Sequence, residues 1–301
     1  MNTMIMEHPV REKRLQRLTH ILGDRLPAFN PVLSENDQFV LKLTSNPAEV
    51  RAAQKLRYRV FKQEQGRMSD CTEAIDRDRY DRHCRHLIVV EKATGRLVGT
   101  YRTLSGCGAY FAGNFYSQDE FAIRGLDFIR DELCEVGRSC VDPEFRSGAV
   151  VGMLWSALSN LRFHRSTPLD LLHYARRRRP ATPKFNYLFG CVSLEETDAT
   201  AAMALYEYLV QNNLVSDKLF ARPRPDFELP PVADANIQQY LHSHEKQLFR
   251  SLPPLFKGYI RLGAKICGPP AYDREFGTID FLIIQDMREI PERYARHFAN
   301  Q

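Results

Sequence analysis

Apolar and polar positions alternate in some stretches of the chain and recur with a helical period in others. Residues 39–43, Phe39-Val40-Leu41-Lys42-Leu43, read as a strand, and Asn46-Pro47 marks a turn after it. From Ala48 onward, Ala53, Leu56 and Val60 space out as they would along one side of a helix. Residues 67–85 are dense in charge and read as a loop. Strands are predicted at 86–90 and 96–104, joined by a hairpin turn at Ala93-Thr94-Gly95. A glycine- and aromatic-bearing segment, 105–125, separates them from a third strand at 133–141, which Asp142-Pro143 ends. Val151, Leu154, Leu158 and Leu161 then fall on one helical face. A strand at 185–194 and a helix at 199–209 follow. The proline-bearing stretch 221–236 predicts an extended linker, spanning 221–250 at most, before two late strands near 259–266 and 279–284. Residues 1–35 read as an N-terminal extension and 36–301 as the main domain. This order of elements predicts an α+β, mixed α/β domain built on a mostly antiparallel sheet flanked by helices.

Composition narrows the classes. With 301 residues, 44% hydrophobic and 26% charged, the chain can bury a sizeable core. Its formal net charge of +5 suits an acidic partner: an acidic protein, a nucleic acid or an anionic membrane surface. The seven cysteines are odd in number and show no C-x-x-C pair, which points to free thiols in a reducing compartment. No apolar run approaches the roughly 20 residues of a membrane span, and the start of the chain has no secretory signal pattern. The expected location is the cytoplasm, with peripheral contact to the inner membrane open.

Several residues stand out as chemistry. Glu135 and Arg138 place opposite charges inside the otherwise apolar strand Leu133-Cys134-Glu135-Val136-Gly137-Arg138-Ser139-Cys140-Val141. A buried charge is costly unless paired, and strict alternation puts these two on opposite faces. A bulge at Gly137 would bring them toward one side. Arg57 and Phe61 share a face of the first helix, Asp78 and Asp81 sit in the charged loop, and Arg102 lies in the second strand of the hairpin. Arg146, Ser147 and Gly148 precede a helix start, where backbone N–H groups suit a phosphate. Arg176, Arg177, Arg178 and Arg179 form the strongest charge run, suited to an acidic carrier or an anionic lipid. No nucleic-acid-binding pattern accompanies that run, so nucleic acid is not an expected partner. His83, Cys84 and His86 lack a second ligand cluster at zinc spacing, so no metal site is expected.

Taken in order, Leu56-Arg57-Tyr58-Arg59-Val60-Phe61, the Asp78/Asp81 loop, Arg102 and the Glu135/Arg138 pair resemble the acyl-homoserine lactone synthases, which have a GNAT-like fold. Glu135-Val136-Gly137-Arg138-Ser139-Cys140-Val141, Leu188-Phe189-Gly190-Cys191-Val192-Ser193, residues 253–264 and Asp280-Phe281-Leu282 resemble a sister family more closely, the L-ornithine Nα-acyltransferases of ornithine-lipid synthesis. The resemblance covers residues 38–300. It implies an acyltransferase that moves a 3-hydroxylated or other long-chain fatty acyl group from acyl carrier protein to the α-amino group of an amino acid, with no tightly bound cofactor. In that scheme Glu135 is the candidate general base, and Arg57, Phe61, Asp78, Asp81, Arg102 and Arg138 surround the substrates. The pantetheine phosphate meets Arg146, Ser147 and Gly148, and the carrier meets the run from Arg176 to Arg179. An apolar tunnel among Phe111, Phe115, Trp155 and Leu158 takes the acyl chain. The alternatives are an acyl-homoserine lactone synthase, an acyl-CoA N-acetyltransferase on a small amine, and a non-catalytic basic binding module.

Overall fold

The computed structural model describes residues 31–63, 74–146, 148–160 and 185–291. Ser147, the run Arg176 to Arg179 and nearly all of the expected N-terminal extension lie outside them. In chain order the regular elements are β1 (Val32–Glu35), β2 (Phe39–Thr44), α1 (Pro47–Tyr58), β3 (Arg85–Glu91), β4 (Leu97–Ser105), α2 (Gly106–Ala112), α3 (Ser117–Glu120), β5 (Phe121–Arg124), α4 (Leu126–Ile129), β6 (Leu133–Val141), α5 (Ala149–Asn160), β7 (Tyr187–Leu194), α6 (Ala199–Gln211), β8 (Phe220–Pro223), α7 (Asp234–Ser251), α8 (Pro254–Arg261), β9 (Lys265–Ile266), β10 (Ala271–Asp273) and β11 (Thr278–Asp286). No helix among the described residues is long and apolar enough to cross a membrane.

One large sheet carries the strands in the order β1-β2-β3-β4-β6-β7-β11-β10, with β9 paired to β11. Every neighbouring pair is antiparallel except β6 and β7, which run parallel. The α+β expectation with a mostly antiparallel sheet therefore holds. Local chemistry explains the entry into α1: Asn46 accepts from the N–H groups of Ala48 and Glu49, and Pro47 stands where its missing N–H costs nothing.

Three expectations are corrected. Val32–Glu35, the end of the supposed extension, pairs with β2 as an edge strand. The supposed linker is structured. Pro223 closes the short strand β8, and from Asp234 the chain forms the 18-residue helix α7, whose Ile237, Leu241 and Leu248 are buried. Prolines stop before residue 232, and that apolar stripe decides the rest. Residues 259–261 belong to helix α8 instead of a strand, because Pro253 and Pro254 start a helical turn that buries Phe256. Only Lys265–Ile266 is extended there.

The sheet positions the site through two irregularities in β6. First, β6 and β7 pair only from Leu133 to Glu135 against Tyr187 to Phe189. Beyond that, β6 stays with β4 and β7 stays with β11 as far as Leu194, so the two strands part. Gly190 sits where they separate. A Cβ there would overlap the carbonyl oxygen of Val136, so only glycine lets the backbones come this close. Second, the β4–β6 register slips between Thr100↔Cys140 and Arg102↔Gly137. Arg138 takes φ +52°, the left-handed region that L-residues rarely occupy. The expected bulge exists, one residue later than Gly137.

Helix α5 covers one face of the sheet: Val150, Met153, Leu154, Ala157 and Leu158 pack on Leu41, Leu87 and Val89. Helices α6, α7 and α8 extend that cover over Val192, Phe281 and Ile283. The other face carries a separate core of Tyr80, Phe115, Phe121, Phe189 and Leu282.

Candidate functional site

The charged loop and three arginines form a buried ionic cluster. Arg57 is completely buried. Its Nε donates to Asp76 Oδ2 at 2.8 Å, and its terminal nitrogens donate to both oxygens of Asp81 at 3.0 Å and to the Asp76 carbonyl at 2.6 Å. Arg102 donates to Asp78 Oδ2 at 2.6 Å and lies 3.5 Å from Asp81. Burial pushes the Asp81 carboxyl up, but Arg57 and Arg102 outweigh it and hold its pKa below the ordinary value. His86 is sealed beneath this cluster, 3.7 Å from Asp81. Burial, helped by Arg57, lowers its pKa to about 4. Arg57, Arg102, Asp78 and Asp81 thus come together as expected, and Asp76 joins them as a member that spacing alone did not single out. Phe61 is placed differently: it packs with Leu56, Val60 and Cys140 in a small apolar cluster.

Arg138 stands apart. Its Nε has no hydrogen-bond partner, and its nearest carboxylates, Asp76 and Asp78, are 3.6 and 3.7 Å away. Its guanidinium lies over the rings of Tyr116 and Phe276, 5.0 and 5.1 Å from their centroids. The bulge turns it toward Tyr116, and Glu135 meets the same residue from the backbone side.

Glu135 is buried and accepts three hydrogen bonds. The Tyr116 N–H donates to Oε2 at 2.7 Å; the Ser117 N–H and hydroxyl donate to Oε1 at 2.7 and 2.5 Å. Burial raises its pKa, and the Ser117 and Tyr116 donors pull back against that rise. It forms no ion pair with Arg138.

Next to it lies a second acidic group. One ligand atom each from Glu120, Cys191 and Asp280 falls within 4.8 Å of the others, an arrangement able to hold a cation. Cys191 Sγ reaches Ser117 Oγ at 3.5 Å and Glu120 Oε2 at 3.4 Å, which ties this group to Glu135. Burial, then Asp280 and Asp273, raise the pKa of Glu120; burial raises that of Asp280. Burial, then Glu120 and Asp280, keep Cys191 a thiol. Asp273 and Asp280 are buried, and none of the three carboxylates pairs with a cation among the described residues. Spacing gave no sign of this group, because its members lie on α3, β7, β10 and β11.

On the opposite face, a cleft with about 580 Å3 of empty space, its mouth included, opens where β6 and β7 part. Val136, Leu188 and Gly190 form its floor, Trp155 and Leu158 of α5 and Tyr259 of α8 its walls, and Ile283, Gln285 and Met287 its far end. Trp155 and Tyr259 stack with planes 4° apart and centroids 5.3 Å apart, and Gly258 leaves the room for the indole. The Tyr259 and Tyr101 hydroxyls hydrogen-bond each other. Trp155 and Leu158 of the expected tunnel line this cleft. Phe111 and Phe115 do not: Phe111 packs against Tyr110 and Phe115 edge-on against Phe189 in the other core.

Gly148, at φ +103°, leads into the N-terminus of α5. Arg146 uses its Nε on the Val141 carbonyl at 3.2 Å and is exposed beyond it.

Comparison with known proteins adds to this geometry. The acetyltransferase (GNAT) domain family matches residues 56–156. The L-ornithine N(alpha)-acyltransferase of Brucella abortus (strain 2308) is 32% identical over 282 residues, covering 89% of this chain and 91% of its own. That of Rhizobium meliloti (strain 1021) is 32% identical over 274 residues, covering 86% of this chain and 83% of its own. Among solved structures, a CoA-dependent acyl-homoserine lactone synthase, BjaI, with SAM and isopentyl-CoA gives a TM-score of 0.42 at 12% identity, over 83% of each chain.

Proposed function

The chain belongs to the L-ornithine Nα-acyltransferase family of GNAT acyltransferases, and from that premise we propose that it moves a 3-hydroxylated long-chain fatty acyl group from acyl carrier protein to the α-amino group of ornithine. The product is then a lyso-ornithine-lipid type N-acyl amino acid. The observation that carries this reading is the parting of β6 and β7. An apolar cleft lies on one face of the gap and a group of acidic side chains on the other, so a fatty acyl chain and a zwitterionic acceptor each find a chemically matched side.

The acyl chain lies in the cleft beside Trp155 and Tyr259, with the thioester carbonyl at the parting point near Val136 and Gly190. The pantetheine phosphate meets the N-terminus of α5 around Arg146, Ser147 and Gly148, and the basic run from Arg176 to Arg179 meets the acidic carrier or the anionic membrane surface. On the other face, the acceptor carboxylate takes Arg138, whose Nε has no hydrogen-bond partner, because Arg57 and Arg102 already donate to the aspartates. The side-chain ammonium of ornithine takes Glu120, Asp273 and Asp280, which lack a cation.

The α-amine attacks only when neutral, so a proton must leave it. Glu135 is the proposed acceptor of that proton. Its two oxygens offer about four lone-pair sites and three donors occupy them, so one site is left over. The amine nitrogen bonds to the acyl carbon, the carbon–sulfur bond breaks, and the pantetheine sulfur leaves as a thiolate that takes the second proton the nitrogen gives up. Gap-facing N–H groups of β6 past Glu135 stabilise the oxyanion formed in between.

The test is incubation with 3-hydroxypalmitoyl carrier protein and, separately, ornithine, lysine and norvaline, following thiol release and product mass. Nα-acylornithine as the dominant product, with Glu120→Gln raising the KM for ornithine at least tenfold, is expected. Equal rates with uncharged norvaline would remove the acceptor assignment. Thiol release from the coenzyme A thioester alone would remove the carrier-protein assignment.

A further inference from the structure

Apart from the Tyr101 and Tyr259 hydroxyls and the Cys191 thiol, the cleft carries one polar side chain, Gln285. Side chains alternate along β11, so Ile283 and Gln285 face it, and Met287 lines it just past the strand's end. Gln285 is about nine-tenths buried, and its Oε1 has no hydrogen-bond partner. The amide orientation is fixed by its other end, since Nε2 donates to the Asp286 carbonyl at 2.9 Å. A buried carbonyl oxygen without a donor is costly, and the two tyrosine hydroxyls of the cleft are bonded to each other. The missing donor must therefore come with the ligand. A saturated acyl chain has none, whereas a hydroxyl on the chain supplies one. The amide N–H groups of pantetheine are the other source.

Position favours the hydroxyl. Gln285 pairs with Leu188, two residues along β7 from Gly190. At about 3.3 Å per residue and about 4.8 Å between strands, its Cα lies roughly 8 Å from the parting point. Gln285 and Gly190 line the same cleft, so a chain whose carbonyl sits at the parting point runs past Gln285 with its first carbons nearer the amide than pantetheine is. Pantetheine enters from the α5 N-terminus, on the thiol side of that carbonyl.

We propose that Gln285 Oε1 accepts a hydrogen bond from a hydroxyl near the carbonyl end of the acyl chain, which makes Gln285 the residue that selects a hydroxylated donor over a plain one. This rests on the acyl-transfer reading above. The site carries its own reporter: the chain's single tryptophan, Trp155, lines the cleft.

The experiment titrates the full-length protein with 3-hydroxydodecanoate and with dodecanoate, following Trp155 fluorescence. It then measures kcat/KM for the matching carrier-protein thioesters with ornithine. Wild type is expected to prefer the hydroxylated chain roughly ten- to a hundredfold in both readouts. Gln285→Leu, which removes the orphan acceptor at similar volume, is expected to abolish the preference by weakening the hydroxylated chain alone. Gln285→Glu, which keeps an acceptor, is expected to retain it. A preference that survives Gln285→Leu overturns the proposal. So does an equal loss for both thioesters with free-acid binding unchanged, which would assign the donor to pantetheine. If no amino acid is acylated while the fluorescence preference holds and depends on Gln285, the acyl-transfer reading fails and the hydroxyl site stands.

Discussion

Ser117 holds Glu135 twice, through its backbone N–H at 2.7 Å and its hydroxyl at 2.5 Å. Both bonds favour the ionised carboxylate and oppose the rise that burial imposes. Ser117→Ala removes one of them, so the Glu135 pKa rises and the acid limb of kcat/KM moves to higher pH. Glu135→Gln, confirmed folded by circular dichroism, is expected to lower kcat about 10²–10⁴-fold and to flatten that limb. A folded Glu135→Gln protein with full activity and an unchanged pH profile would remove the base assignment.

Arg57 and Arg138 both approach Asp76, yet their variants are expected to fail differently. Arg57→Met strands Asp76 and Asp81 in the core and is expected to cost about 3–5 kcal/mol of stability, read by urea unfolding. Arg138 reaches Asp76 and Asp78 only at 3.6 and 3.7 Å, so Arg138→Met is expected to destabilise less than Arg57→Met while the KM for ornithine rises at least tenfold. Equal destabilisation by the two would show that Arg138 is only part of the ionic frame.

At the parting of the strands the backbone leaves no room for a side chain. Gly190→Val is expected to lower stability by about 1–3 kcal/mol and to abolish transfer, because the new Cβ must push β7 off the Val136 carbonyl. Thermal unfolding and thiol release measure the two effects. A Val variant as stable and active as wild type would mean that the gap is wider in solution.

His86 links stability to pH. Its pKa falls from the ordinary 6.5 to about 4 on folding, so between those values the unfolded chain binds the extra proton. Stability therefore rises as pH increases from 4 to 6.5, with His86 contributing about 3 kcal/mol of that change. The buried Glu135, Glu120 and Asp280 titrate with raised values and slope the other way, so a difference experiment is needed. Urea midpoints across this range are expected to depend less steeply on pH in His86→Leu than in wild type. An unchanged slope would show that another group carries the dependence.

Much of the architecture was legible because it is written locally. Strand β6 begins at Leu133 and ends at Val141, as its apolar run and Asp142-Pro143 indicate. The glycine inside it signalled the bulge. Misreadings arose where two local cues competed. Prolines in 221–236 masked the buried stripe of α7, and Tyr259-Ile260 reads as strand although Pro253 and Pro254 begin a helix. The site was legible only where charges were anomalous for their surroundings, as with Glu135, Arg138 and the Asp78/Asp81 loop. Ser117, Glu120 and Gln285 look ordinary in sequence. Their importance comes from long-range contacts: Ser117 on Glu135, 18 residues away, or Gln285 facing a cleft whose other walls are α5 and α8.

The unpaired stretch of β6 and β7 also bears on kinetic order. On the proposed reaction the carrier-bound chain and the amino acid meet the parted strands from opposite faces of the sheet, so neither blocks the other's entrance. This favours a ternary complex assembled in random order, with intersecting double-reciprocal plots in place of the parallel lines of a ping-pong exchange. The amide product is then threaded through the sheet, polar head on one face and fatty tail on the other, so its withdrawal becomes the step that limits turnover.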